Sequence, residues 1–157
     1  MRPKVYRAAA LAALLAWSSV ACTAGGDTAS IDQATLAGPW TNEAGARLVF
    51  EADRRATGTD LGSALPGTLS CPDSLSGTWS FFSAPTDTGF SAADASLTSG
   101  DTIGISITSV EDHCSLSAVV RRDAHGYNLC LVADPDSDCS TNKELLRPAP
   151  PGPEQSQ

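Results

Sequence analysis

Lysine, histidine, methionine and aromatic residues are all scarce in this chain. Of 157 residues, two are histidine, one is methionine and 6% are aromatic, while lysine occurs only as Lys4 and Lys143. Ten Lys and Arg face 18 Asp and Glu, a formal net charge of −8. Such a surface repels phosphate backbones and anionic headgroups, which excludes nucleic acid as a partner. No serine lies in a G-x-S-x-G. His125 falls in the turn-like "DAHG", and His113 in "EDHC" beside Glu111 and Asp112. Consecutive residues on a strand point to opposite sides, so Glu111, Asp112 and His113 do not converge on one proton. No catalytic residue is expected, and the chain reads as a non-enzyme without a cofactor. Paired C-x-x-C spacing is missing too, which argues against zinc. The unbroken apolar run from Ala8 to Trp17 is short of the roughly 20 residues that a spanning helix needs.

One acidic stretch invites a metal test. In "DPDSDCSTNKEL", Asp134, Asp136 and Asp138 recur at the first, third and fifth places of a calcium loop. That loop requires Gly sixth and Glu twelfth, where this chain has Cys139 and Leu145. No EF-hand and no assigned metal site are expected; the stretch reads as an acidic, proline-containing turn between two strands, with a looser calcium site as the alternative.

What the chain does have begins at its front. Arg2, Lys4 and Arg7 precede the apolar run, and Ser18 to Ala21 are small or short residues. Residues 1–21 thus read as a secretory signal peptide. Ala21 before Cys22 resembles the bacterial lipobox, although Ser19 stands where Leu is most common. The resemblance implies that Cys22 is lipidated and becomes the first residue, anchoring the protein to the outer face of the cell membrane. Cysteine parity supports it: with Cys22 lipidated, Cys71, Cys114, Cys130 and Cys139 form two disulfides with none left over. The mature chain would carry seven cationic side chains against 18 acidic ones, net −11 over 136 residues. Residues 22–35 read as the lipidated cysteine and a flexible tether about 20 Å long. A proline-rich, disordered tail is expected over 148–157. The domain is 36–147, one core's worth of chain.

Period-two alternation dominates that domain, and no helix of ordinary length is expected. "ARLVFEAD", "GTWSFF" and "TIGISITSV" each put apolar residues on one face. "CSLSAVVRRDAHGYNLCLVAD" reads as a hairpin turning at Asp123 to Gly126. Setting Arg122 opposite Tyr127 places Val120 against Leu129, Ala118 against Leu131 and Leu116 against Ala133, all six on one face. Further strands are expected at 38–43, 56–61, 93–98 and 142–147. A meander of eight or nine such strands buries its apolar side by closing into a barrel or folding into a β-sandwich.

Two short motifs point to the barrel. "LAGPW" sets Gly38 and Trp40 in a G-x-W at the first strand, and "ELLRP" puts Arg147 at the end of the last. This resembles the calycin group, lipocalins and their relatives, in which a basic residue of the final strand lies over the Trp of the first. The resemblance implies an up-and-down barrel of about eight strands with Arg147 on Trp40. The chain from 36 to 148 also resembles small lipoproteins of high-GC Gram-positive bacteria. The hairpin register leads to the disulfides Cys114–Cys139 and Cys71–Cys130, one of three connectivities open to four cysteines.

Two functions follow. One is a membrane-tethered, monomeric module binding a small apolar or amphipathic molecule inside the barrel. The other is a non-enzymatic envelope protein whose barrel is filled by its own side chains and whose surface meets another protein.

Overall fold

The computed structural model describes residues 26–65, 67, 69, 71–87, 89–108, 114–134 and 145–150. In chain order the elements are β1 (Asp27–Thr28), β2 (Ile31–Asp32), the single-turn helix α1 (Gln33–Leu36), β3 (Gly38–Thr41), β4 (Arg47–Phe50) and β5 (Arg55–Thr59). A 3₁₀ turn (Leu61–Ser63) precedes β6 (Leu75–Phe82), β7 (Ala93–Asp94) and β8 (Ser99–Gly100). The last four are β9 (Thr102–Ile107), β10 (Ser115–Asp123), β11 (Gly126–Val132) and β12 (Leu145–Pro148). Strands β3, β4, β5, β6, β9, β10, β11 and β12 pair in that order, all antiparallel, and β12 returns to pair with β3. The ring closes. It is the expected eight-stranded barrel, and the sandwich alternative is excluded.

Alternation produces this shape directly. In β6, Leu75, Gly77, Trp79 and Phe81 are buried while Ser76 and Thr78 face out. Gly77 is glycine because β6 and β9 approach too closely for a side chain: a Cβ there would sit 2.1 Å from the Ser106 carbonyl oxygen. The β10–β11 hairpin has the anticipated register, with Arg122 opposite Tyr127, Val120 opposite Leu129 and Ala118 opposite Leu131. Leu116, Ala118, Val120, Leu129 and Leu131 are all at most 1% exposed. Ala133 lies just past β11 and is exposed.

The strand expected at 93–98 does not form. Only Ala93 and Asp94 pair, with Phe82 and Phe81. The Asp94 carboxylate then accepts from Ser96 N (2.8 Å) and Ser96 Oγ (2.7 Å), a local turn that competes with the ladder.

Strands β4, β6, β10 and β12 run the same way, so their C-terminal ends mark one end of the barrel, here the upper end. Helix α1 closes it. Asp32 caps that helix, accepting from Thr35 N (2.9 Å) and Thr35 Oγ1 (3.0 Å). Ile31 and Leu36 go into the core, at 1% and 0% exposure. The expected flexible tether is therefore corrected: from Gly26 onward the chain belongs to the fold, with Asp27 and Thr28 paired to Arg122 and Arg121 and Ile31 paired to Gly100. The signal peptide and Cys22 lie outside the described residues. At the other boundary Pro148 is still strand, and Ala149 N donates to Pro39 O (2.8 Å). Residues 151–157 of the expected tail lie outside the described residues.

Candidate functional site

The barrel interior is the first place to look for a binding site. Trp40, Leu48, Phe50, Trp79, Phe81, Ile103 and Ile105 point into it, and none is more than 2% exposed. Trp79 sits between Phe50 and Phe81, with ring centroids 5.7 and 5.4 Å away and planes near perpendicular. A cavity of ligand size, roughly 300 Å³ or more, leaves free surface on the side chains that line it. These side chains have almost none, because they touch one another. The lower end is closed as well: the 3₁₀ turn there buries Leu61 and Ala64 at 0% exposure and Leu65 at 9%.

The upper end holds a residue that carries no recognisable motif. In "EADRRAT" the β4–β5 turn contains no glycine, and Arg54 takes the left-handed conformation at φ 71°. That costs of order 1 kcal/mol or more in a non-glycine residue. Its side chain supplies the compensation. The guanidinium lies 4.2 Å from the Trp79 ring centroid and 5.6 Å from that of Phe81. Nη2 donates to Gln33 Oε1 (2.8 Å) in α1 and to Leu97 O (2.5 Å), tying the plug to the barrel rim. Trp79 Nε1 donates to Glu51 O (3.1 Å) in the same turn. Nη1 is buried with no partner among the described residues. The pattern that could have exposed Arg54 is a basic pair where a turn would ordinarily take Asp-Gly.

The strands that carry Gly38, Trp40 and Arg147 pair with each other, but not in the arrangement that the resemblance implies. Gly38 opens β3 with φ 128°, a conformation that glycine tolerates. Trp40 is fully inside, and its Nε1 donates to Leu36 O (2.8 Å). Arg147, however, pairs with Thr41, while Pro148 is opposite Trp40. Neighbouring positions on a strand face opposite ways, so Arg147 points outward and does not cover Trp40. Its Nη2 and Nη1 grip the Asp123 carboxylate at 2.6 and 3.2 Å. The arginine that stacks on a core tryptophan is Arg54.

Asp123 also accepts from His125 N (2.8 Å) and Asn128 Nδ2 (3.2 Å), and Asn128 is fully buried. The hydrogen bond from Arg147, with smaller help from His125, lowers the Asp123 pKa from 3.8 to about 2. A depressed carboxylate contributes stability that is present above pH 3.8 and lost as pH falls through about 2. The pair is partly solvated, so its worth is about 1 kcal/mol. Asp123→Asn is expected to lower stability by that amount at pH 6 and by clearly less at pH 1.5. Urea titrations at the two pH values check it.

The disulfide expectation needs correction. Cys71 bonds to Cys114, so neither Cys114–Cys139 nor Cys71–Cys130 forms. The β5–β6 and β9–β10 connections share the lower end, since Gly77 is opposite Ile107, and this brings Cys71 and Cys114 together. Cys130 is itself disulfide-bonded, and it packs with Val119, Val132 and Leu145 outside the main core. The register was right although the pairing drawn from it was not. Cys139, Asp136 and Asp138, like Glu111, Asp112 and His113, lie outside the described residues. Asp134 and His125 are exposed. Among the described residues no three metal-ligating side chains come together.

Comparison with protein-family models, curated proteins and solved structures finds no match for this chain. The calycin likeness accordingly rests on the closed eight-stranded barrel alone.

Proposed function

We propose that this chain is a lipid-anchored extracytoplasmic module, not an enzyme, that binds its partner through its outer surface. The observation that carries this reading is the interior, packed wall to wall and plugged at both ends by α1 and the 3₁₀ turn. A closed barrel is consistent with a ligand-binding module. Small barrels are either filled by side chains or open enough for one small ligand, and this one supports the filled alternative. The anchor reading is supported by the leader pattern and by cysteine parity: Cys71, Cys114 and Cys130 are all consumed by disulfides.

The anchor is tested by Cys22→Ser expressed in a bacterial host with lipoprotein processing. The expected result is an unprocessed precursor, whereas the parent gains acyl mass and fractionates with membrane. Cleavage and release of the variant at the parent's rate would sink the lipidation reading. The surface-binding reading is tested by incubating the folded mature protein with a fluorescent fatty-acid probe. No saturable binding is expected, and stoichiometric uptake would restore the internal-ligand alternative.

A further inference from the structure

We infer that the upper end of the barrel faces the bilayer and that Phe90 enters its interfacial layer, an inference that rests on lipidation of Cys22. Four chain steps separate Cys22 from Gly26. At 3.3–3.6 Å per residue they span at most about 14 Å. Gly26 is fastened to the upper end: its carbonyl accepts from Arg121 Nε (3.0 Å) and Nη2 (2.6 Å), and the next residue pairs with Arg122. The eight residues of β6 alone measure roughly 26 Å at strand rise. Tilted as barrel strands are, they give a height of roughly 20 Å, so a tether shorter than the barrel keeps the upper end near the headgroups.

Phe90 supplies the second observation. It is 76% exposed, the one large apolar side chain left so among the described residues. It follows β6 on a segment that projects past the same upper end, held by Ser83 N to Ala92 O (2.8 Å) and Thr86 N to Phe90 O (2.9 Å). An aromatic side chain on a fixed turn, at the end where the lipid must emerge, matches an interfacial layer that accepts aromatic rings. Charge adds a weaker bias. Arg121, Arg122 and Arg147, three of the mature chain's seven cationic residues, cluster around the β10–β11 turn beside Asp27 and Asp123. That corner is thus spared repulsion from a membrane, although Asp87 and Asp94 flank Phe90 itself, so the charge bias is confined to the β10–β11 turn.

The test uses mature lipidated protein in phosphatidylcholine vesicles whose acyl chains are brominated, which quench tryptophan at short range. Trp40 and Trp79 are buried and give a constant background. Phe90→Trp adds a reporter at the upper end, and Ala44→Trp adds one in the exposed β3–β4 turn at the lower end. The fluorescence added by Phe90→Trp is expected to fall at least twofold, and that added by Ala44→Trp to be unchanged. If both are quenched alike, or neither is, in protein that carries acyl mass and floats with the vesicles, this inference fails and lipidation stands. A chain without acyl mass overturns both.

Discussion

Trp79→Ala is expected to lower the free energy of unfolding by about 3–5 kcal/mol, the range for removing a large aromatic from a packed core. Three losses combine. The ring's contacts with Phe50 and Phe81 disappear, the bond to Glu51 O is lost, and Arg54 is left above a void. Because Arg54 also holds Gln33 and Leu97, the α1 plug loosens with it. Urea unfolding measures the cost, and Phe90→Ala, a change at an exposed side chain, is the control that should stay within about 0.5 kcal/mol.

The same variant probes function. A barrel filled by its own side chains gains a cavity only when one is removed, and an apolar cavity takes apolar guests. Trp79→Ala should therefore bind the fatty-acid probe that the parent refuses. Equal binding by parent and variant would contradict the filled interior. Equal stability of the two would show that Trp79 is not central to the core.

How much of this was legible in the sequence follows the range of each interaction. Strand faces are set by residues two apart, so the β10–β11 hairpin could be read to the residue, from Arg122–Tyr127 to Ala118–Leu131. Alternation alone left a barrel or a sandwich, since either buries the apolar face of a meander, and only the short motifs around Trp40 and Arg147 pointed to closure. Side-chain partners across the sheet were harder. Whether Arg147 meets Trp40 or Asp123 turns on a one-residue register at the β12–β3 seam, which no local pattern fixes. Small, polar residues hid the first plug: "TASIDQAT" looks like a linker until Asp32 caps α1 and Ile31 finds the core. Arg54 was hidden differently. Its role depends on a left-handed turn and on rings of β6, about 25 residues further along.

Removing the Cys71–Cys114 bond, as Cys71→Ser with Cys114→Ser, is expected to lower stability by about 4 kcal/mol. The chain-entropy account gives that figure for a closed loop of this size, the two cysteines being 43 residues apart. The bond carries unusual weight because of what it restrains. The 3₁₀ plug lies in the same β5–β6 connection as Cys71, and among the described residues it is tied to that connection by Leu61 N to Asp73 O (3.0 Å) and Gly62 N to Asp73 Oδ1 (2.8 Å). Freed from Cys114, that connection can leave the lower end, exposing Leu61, Ala64 and Leu65. For a domain of this size the loss amounts to a fall in Tm of roughly 15 °C. Non-reducing peptide mapping should return Cys71–Cys114 in the parent and, since Cys130 is also oxidised, Cys130–Cys139. A double variant that melts with the parent would mean that the lower plug is held by packing alone. In that case Leu61→Ala, not the disulfide, becomes the substitution that opens the barrel from below.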